Sequence, residues 1–418
     1  GILIPQLAVA NPRGPQVISG QASVAAQGKT LSVTNSDRAI INWQDFSVGN
    51  GELTRFIQPT ATSAVLNRVI GNNPSAIYGA LQSNGRVYLV NQNGIFIGPA
   101  ATIDVNGLIA STLNIADGDF KAGRINFSGG PLSGRIENQG AIRTPAGGSI
   151  YLIAPDVTNS GIINAPNGDI LLAAGQQVSL VESTTPEIAV VVSAPGNQAL
   201  NLGRIIAEAG RIGIYGGLIR HRGITSADSA VMDKTGAIHF RETNDITFDK
   251  DSRTTANGPK GGSITVQSAE GTTLVSGAVT ATGNIPAPST GEGEGGGVGK
   301  GGEIQILGNH VGLIDSAQID ASGENGGGTV LVGGDYQGKN PDIQNAQAAY
   351  VGKDTTIKAD ATDNGNGGKV IVWSDNATRA YGSISARGGA NGGNGGFVET
   401  SGKQYLDYRA KVNVGATA

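Results

Sequence analysis

The stretch that decides the fold is GRVYLVNQNGIFIG at residues 85–98, followed by PAATIDVNGLIAST at residues 99–112. Apolar side chains alternate with others on both sides of a short turn, which is typical of β-strands. The turn consists of Asn91, Gln92, Asn93 and Gly94. Asn-Gly tolerates the positive φ of a tight turn, so the pattern predicts a β-hairpin at residues 86–97. A second strand–turn–strand segment follows it.

A repeat of about twenty residues begins beyond residue 134. IENQGAI at 136–142 recurs as VTNSGII 21 residues later, and GSIYL at 148–152 recurs as GDILL 20 residues later. In the second half, a Gly-Gly pair followed by alternating apolar residues returns at residues 261, 301, 327, 367 and 395. Strand-only units of this period, separated by Gly or Asn turns, predict an all-β, right-handed parallel β-helix. The hairpin at residues 86–97 would then stand outside the helix.

The composition agrees with stacked strands. The 418 residues include 67 Gly and only 5% aromatic residues, so the core must consist of Val, Ile, Leu and Ala. Cys does not occur, which excludes disulfides and thiolate metal sites. The net charge of −4 creates no field that attracts nucleic acid. We therefore expect no nucleic-acid partner, and nothing in the composition points to a cofactor.

Residues 1–50 are expected to close the open end of the solenoid. They contain short alternating stretches, and the unpaired edge of a stacked-strand fold would otherwise template aggregation. We predict an antiparallel cap over residues 1–50, with Trp43 and Phe46 covering the first coil. The same two residues can also be ordinary core aromatics, and the two interpretations hardly conflict.

The sequence offers little that points to catalysis. It contains three histidines, at His221, His239 and His310. None of them belongs to a metal-binding motif. The strongest enzymatic alternative is a β-helix polysaccharide lyase or hydrolase, because Asp245, Asp249 and Asp251 lie within one short span. A solvated charged loop explains these carboxylates better, so we expect no enzyme activity and no metal site.

The ordered motifs resemble those of two-partner secretion exoproteins, the filamentous-haemagglutinin family. In that family Asn-Pro-Asn-Gly is followed by Ile-x-Phe/Ile-Gly and then by Gly-Leu/Phe-x-Ala-Ser-Thr. The matching residues here are 91–94, 95–98 and 107–112, with Gln92 in place of the family's proline. The upstream Asn-Pro-Asn-Leu motif has no clean match, and FIQPT at 56–60 is the nearest stretch. This variation is closer to the high-molecular-weight adhesin branch.

The resemblance implies the secretion-directing N-terminal part of a large secreted or surface-bound adhesin. Its partner would be an outer-membrane β-barrel transporter of the TpsB type, whose periplasmic domains bind the extended chain before it folds outside the cell. Residues 1–250 would form the secretion domain and residues 251–418 the start of the adhesin region. We expect a monomer with a host cell-surface glycan or protein as its target. Without a signal-peptide pattern or a terminal capping sequence, the chain is expected to be a mature piece of something longer.

Alternatives within the same pathway are a haem- or haemopexin-binding exoprotein and a contact-dependent toxin carrier. The sequons at Asn126 and Asn376 are candidate glycosylation sites. Two roles are open for Asn91 and Asn93. Their side chains can satisfy main-chain groups in a tight turn, or, as the resemblance implies, the turn can be recognised during export. We favour the first role.

Overall fold

A computed structural model describes residues 11–129, 133–181, 189–193, 197–230, 234–284 and 298–416. The chain divides into two compact units, Gly1–Ala199 and Leu200–Ala418, and each is described by itself. Both units consist of short strands stacked in parallel, coil upon coil, so the prediction of a parallel β-helix is confirmed. No helix within the described ranges is long and apolar enough to cross a membrane.

The strands that begin before residue 190 are β1 (Gln16–Ser19), β2 (Ala22–Gln27), β3 (Thr30–Asn35), β4 (Ala39–Trp43), β5 (Leu53–Ile57), β6 (Ala64–Val69), β7 (Ser75–Ile77), β8 (Ala80–Val90), β9 (Ile95–Ile97), β10 (Thr102–Ser111), β11 (Asn114–Ile115), β12 (Asn126–Ser128), β13 (Ile136–Asn138), β14 (Ala141–Arg143), β15 (Ser149–Ala154), β16 (Val157–Asn159), β17 (Ile162–Asn164), β18 (Asp169–Ala174), β19 (Gln177–Val181) and β20 (Ala189–Ser193). One helix, α1 (Asp117–Ala122), lies between β11 and β12.

The later strands are β21 (Gln198–Asn201), β22 (Arg204–Ile206), β23 (Arg211–His221), β24 (Ile224–Ser226), β25 (Ala237–Phe248), β26 (Arg253–Thr255), β27 (Ser263–Ser268), β28 (Thr272–Val275), β29 (Ala278–Thr280), β30 (Glu303–Leu307), β31 (His310–Leu313), β32 (Gln318–Asp320), β33 (Thr329–Val332), β34 (Ala348–Val351), β35 (Thr356–Lys358), β36 (Lys369–Ser374), β37 (Ala377–Ala380), β38 (Ser383–Ser385), β39 (Phe397–Gly402), β40 (Tyr405–Tyr408) and β41 (Lys411–Asn413). A 3-10 turn, Tyr336–Gly338, lies between β33 and β34.

Successive coils of the first unit pair in parallel and in register. β8 pairs with β10, and β10 pairs with β15. This register places Val87, Leu108 and Ile150 in one interior column, and all three are fully buried. Each branched side chain packs on its equivalent in the next coil, which fills a core that contains few aromatic residues.

The hairpin predicted at residues 86–97 is wrong. Within the described ranges β8 and β9 do not pair with each other; β8 pairs in parallel with β6 and β10, and β9 with β7 and β13. Residues 91–94 are therefore a corner of a coil. Alternating strands on either side of a Gly-containing turn are common to hairpins and to β-helix corners, so the local sequence does not distinguish the two.

An antiparallel sheet does stand outside the coils, at a different place in the chain. It runs in the order β11, β12, β19, β20, and its last two strands form a hairpin. Tyr88, Ile109 and Leu171 alternate with interior residues and therefore point outward from the coils, and yet they are buried. Burial of this apolar outer face explains why the sheet lies here. Phe120 of α1 packs here, with its ring 5.0 Å from that of Tyr88.

The predicted antiparallel cap is present, and β1 and β2 form it among the described residues 11–50. β1 pairs antiparallel with β4, and β2 pairs antiparallel with β3. On their other sides β3 and β4 pair in parallel with β5 and β6, so these two strands already belong to the first coil. Residues 1–10 of the predicted cap lie outside the described residues.

Glycine pairs permit the close approach of coils in the second unit. Gly262, Gly302 and Gly328 precede the stacked strands β27, β30 and β33. A Cβ on Gly302 would lie 2.0 Å from the carbonyl oxygen of Gly262, and one on Gly328 equally close to that of Gly302. Any larger residue would therefore force the coils apart.

Two titratable side chains are buried within the second unit. The ring of His221 lies 5.4 Å from that of Phe240 and 4.9 Å from that of Phe248, and burial lowers its pKa to about 4. Burial raises the pKa of Glu242 to about 7, with a smaller contribution from the negative charge of Asp245. Burial favours the neutral form of each group, so the stability of this unit depends on pH.

Replacing Gly161 by alanine is expected to lower the free energy of unfolding by about 3 kcal/mol or more. The added Cβ would meet the carbonyl oxygen of Gly140 at 2.1 Å. Gly118→Ala is the matched control in the same unit, since open space surrounds its Cβ position. Urea unfolding followed by circular dichroism measures both. Equal midpoints for the two variants would contradict the close packing of the coils.

Glu242→Gln is expected to flatten the pH dependence of stability. The raised folded-state pKa means that the stabilising contribution of Glu242 is complete below about 4.5 and is lost as the pH rises through about 7. The loss should be about 1–3 kcal/mol and should be absent from the variant. His221 acts in the opposite direction: its contribution is present above about 6.5 and is lost as the pH falls through about 4, in both proteins. Urea midpoints across this range measure the two effects. If the stability of Glu242→Gln fell towards neutral pH as much as that of the wild-type protein, the assignment to Glu242 would be refuted.

Candidate functional site

Asn91 holds the corner at residues 91–94 with both ends of its amide. It is buried, and its Nδ2 donates to the carbonyl oxygen of Asn73 at 2.9 Å and to Oγ of Ser75 at 3.0 Å. Its Oδ1 accepts from the main-chain nitrogen and from Nδ2 of Asn93, each at 3.0 Å. Because these contacts use both N–H donors of the amide, truncating the side chain would leave buried polar groups without partners.

Asn93 and Gly94 complete the turn. Nδ2 of Asn93 also donates to the carbonyl oxygen of Gly71, at 2.9 Å. Gly94 has a φ of 124°, which favours glycine, and its N–H donates to the carbonyl oxygen of Asn91 at 3.1 Å. The N–H of Ser75 in turn donates to the carbonyl oxygen of Gly94 at 3.0 Å. The turn is thus bonded to the corner of the preceding coil.

The GLIAST segment at residues 107–112 supplies the next layer of the same corner. The N–H of Asn91 donates to the carbonyl oxygen of Ser111 at 3.0 Å. The N–H of Gly134 donates to the carbonyl oxygen of Gln92, and Oγ1 of Thr112 donates to that of Gly134, both at 2.7 Å. Two motifs that are separate in the sequence are therefore neighbouring layers of one hydrogen-bonded ladder.

The layer below was not recognised from the sequence. Its acceptors come from NPS at residues 73–75, a segment that matches a glycosylation sequon except for its proline. Ser75 pairs with Ile95, 20 residues later, in the parallel ladder between β7 and β9. Applying the twenty-residue period backwards from the turn would have pointed to this segment.

Trp43 and Phe46 occupy the interior of the first coil. Their ring centroids lie 5.6 Å apart, and the ring of Phe46 stacks on that of Phe56 at 6.3 Å. Nε1 of Trp43 donates to Oδ1 of Asn67 at 2.9 Å, which satisfies the one polar atom of a fully buried ring. The position agrees with a role in closing the first coil and with a role as core aromatics.

The two sequons differ in accessibility. Asn126 and Ser128 are both exposed on β12. Asn376 is exposed, but the hydroxyl of Thr378 is buried and donates to the carbonyl oxygen of Ser401 at 2.8 Å. A glycosyltransferase that reads the whole sequon would reach the second site only before the chain folds.

The carboxylates considered for catalysis are engaged locally. Oδ1 of Asp245 accepts from the N–H of Thr272 at 2.8 Å, and Asp249 forms an ion pair with Arg222. The histidines are spread over the second unit: His221 and His239 are buried and His310 is exposed. In the part of the chain that the structure describes, no group of three His, Asp or Glu residues is placed to hold a metal ion.

Comparison with known structures extends the local findings to the whole chain. The crystal structure of the HMW1 secretion domain from Haemophilus influenzae superposes with a TM-score of 0.73 at 34% sequence identity. The match covers 97% of this chain and 99% of that one.

Two sequence relatives carry the name heme/hemopexin-binding protein. One, from Haemophilus influenzae strain Rd, is 30% identical over 211 residues, which is 48% of this chain and 23% of that protein. The other, also from Haemophilus influenzae, is 45% identical over 80 residues, 19% of this chain and 9% of that protein. The chain thus matches about a quarter or less of the length of these relatives.

The family model of the TPS secretion domain matches residues 8–248, more than half of the chain. That range contains the corner at residues 91–94 and the layers on either side of it. The predicted resemblance is therefore confirmed, and the chain belongs to the TPS secretion domain family, the domains that direct two-partner secretion exoproteins through the outer membrane to the cell surface or the medium.

Proposed function

We propose that residues 1–250 direct export through an outer-membrane β-barrel transporter of the TpsB type, whose periplasmic domains bind the chain while it is extended. The observation that carries the proposal is the ladder formed by residues 73–75, 91–94 and 107–112, because it unites the motifs of the resemblance in one structure. The extent of the family model, residues 8–248, supports a functional boundary near residue 250. Residues 251–418 then continue the β-helix into the adhesin region.

We infer that Asn91 acts on export through folding. Its amide is buried and already bonded to Asn73, Ser75 and Asn93, so the folded corner offers a transporter little of this side chain. Gln92 and Asn93 are exposed, but Nδ2 of Asn93 is likewise bonded within the corner. The transporter would meet these residues in the extended chain, and the corner would form after they pass.

Stacking of coils supplies the free energy for this route. Each coil that folds outside the cell buries branched side chains on the coil before it, at about 2 kcal/mol for each fully buried residue. The folded stack grows through contacts between neighbouring coils, so every completed coil opposes backward movement of the chain through the transporter. Trp43 and Phe46 would close the first coil and give the stack its starting surface.

A haem- or haemopexin-binding exoprotein is the second candidate, because both sequence relatives bear that name. The aligned part is a minor fraction of each, so the binding function would reside largely in segments outside the alignment. The named relatives and the HMW1 secretion domain support the inference that the chain is not an enzyme. A toxin carrier of the same pathway is not favoured by any observation.

Glycosylation and the host target belong to the same proposal. Asn126 is the better modification site because its whole sequon is exposed, whereas Asn376 would have to be modified before folding. A monomer that displays its distal part to a host glycan or protein agrees with a secretion domain that carries a larger adhesin.

Asn91→Ala is expected to lower the free energy of unfolding by about 2–4 kcal/mol, because buried hydrogen-bonding groups lose their partners. Gln92→Pro is the matched change at the next residue and should be neutral or stabilising by about 0.5 kcal/mol. The side chain of Gln92 is exposed, and its N–H donates no hydrogen bond within the described part of the chain. Urea unfolding of both variants is the measurement. Strong destabilisation by Gln92→Pro would show that the geometry of the corner is incorrectly assigned.

In these variants the exported amount should change in parallel with the stability of the fold. The 418-residue chain, supplied with a signal peptide and its cognate transporter, is expected to reach the medium only when the transporter is present. Asn91→Ala should reduce the exported amount severalfold, and Gln92→Pro should not. Immunoblots of medium and periplasm quantify the two fractions. Export that does not require the transporter would overturn the proposed route, and wild-type export of Asn91→Ala would overturn the role of the corner.

A further inference from the structure

On the outer face formed by β31, β34, β37 and β40, two alanines lie between larger side chains, and we refer to this part of the face as the trough. These strands stack in parallel, and their outward side chains form two rows. The first row is His310, Ala348, Ala377 and Tyr405, and the second is Gly312, Tyr350, Arg379 and Asp407. The two alanines are the shortest side chains of the first row, so they form the floor between His310 and Tyr405.

Tyrosine side chains border this trough and are exposed to solvent. Tyr350 is 39% exposed and Tyr405 is 51% exposed. The ring of Tyr381 packs against that of Tyr350, with centroids 5.9 Å apart at an interplanar angle of 71°. The chain contains only 9 tyrosines, so three on one small face is a concentration. Exposed aromatic rings that are grouped in this way mark binding surfaces.

Arg379 carries an exposed positive charge on this face. Its guanidinium lies over the ring of Tyr405, 5.7 Å from the centroid, and it is exposed. It forms no ion pair and no side-chain hydrogen bond among the described residues. The carboxylate next to it, Asp407, is already engaged, since it accepts from the hydroxyl of Tyr381 at 2.8 Å and lies 3.5 Å from Nε of Arg409.

The hydroxyl of Tyr381 keeps Asp407 occupied. The hydrogen bond to this carboxylate raises the pKa of Tyr381 above its usual value. A tyrosine hydroxyl is protonated at neutral pH in any case, so it donates to Asp407. The planar N–H donors of Arg379 are therefore oriented by an aromatic ring and are available to an acceptor from outside the chain. A planar guanidinium binds a carboxylate through two parallel hydrogen bonds.

We propose that this face binds a carboxylate-bearing saccharide, with Arg379 holding the carboxylate and the rings of Tyr350 and Tyr405 stacking on the C–H faces of the sugars. The alanine floor lets a pyranose ring approach the main chain, and His310 contributes a polar edge at the far end. Neighbouring strands are about 4.8 Å apart, close to the length of one sugar unit, so successive sugars can meet successive coils. The site is distinct from the corner at residues 91–94.

Titration of the purified chain with a hexamer of galacturonic acid tests this proposal, with maltohexaose as the neutral probe of equal length. Binding is measured by calorimetry and by saturation-transfer NMR. We expect saturable binding of the acidic hexamer, weakened by raised salt, and at least about tenfold weaker binding of the neutral one. Failure of the acidic hexamer to bind, or equal binding of both, would overturn the proposal.

Variants assign the binding to the trough. Arg379→Ala and Tyr350→Ala should each weaken binding about tenfold, and Arg379→Lys should restore little because an ammonium lacks the planar pair of donors. Lys411→Ala removes an exposed positive charge on another strand of the same unit and should leave binding unchanged. Both trough side chains project into solvent, so urea midpoints should match the wild type. Wild-type affinity in Arg379→Ala, or an equal loss in Lys411→Ala, would refute the site.

Discussion

The whole fold depends on bringing each coil within main-chain hydrogen-bonding distance of the one before it. Along the strands any side chain permits this, because side chains point to the two faces of the sheet. At the corners the chain turns, and a Cβ can point at the neighbouring coil. The carbonyl oxygens of Gly140 and Gly262 occupy the places where side chains of Gly161 and Gly302 would stand. This steric requirement accounts for glycine at these corners.

The corner at residues 91–94 meets the same requirement with side chains. Asn91 is buried there, and its amide donates to the carbonyl oxygen of Asn73 and to Oγ of Ser75 in the layer below. The layer above is joined through Ser111 and Thr112. The motifs at residues 91–94 and 107–112 therefore have a common physical basis, because they form consecutive layers of one corner. Their order in the sequence is the order in which the layers stack.

Much of this could be read from the sequence, and the failures have identifiable causes. The twenty-residue period and the Gly-Gly pairs predict the parallel β-helix, and the ordered motifs predict the family. The hairpin prediction at residues 86–97 is wrong because alternation and turn type are local signals, whereas the partner of a strand is set by residues far away in the sequence. The sequence also does not predict the external sheet at β11, β12, β19 and β20, where the structure places it. A signal was present, since VYLV at 87–90 and LLAA at 171–174 are continuous apolar runs, which indicate strands buried on both faces.

The external sheet also imposes a time order on the molecule. Phe127 on β12 pairs with Val178 on β19, and all of β13 to β18 lie between them in the chain. If the chain folds from its N-terminal side, Phe120 of α1 covers Tyr88 early, but β12 gains its second neighbouring strand only when β19 is present. The external sheet therefore reaches its full size only after the segment that forms β13 to β18 is available for stacking, and it then ties β12 to a strand that follows those coils in the chain.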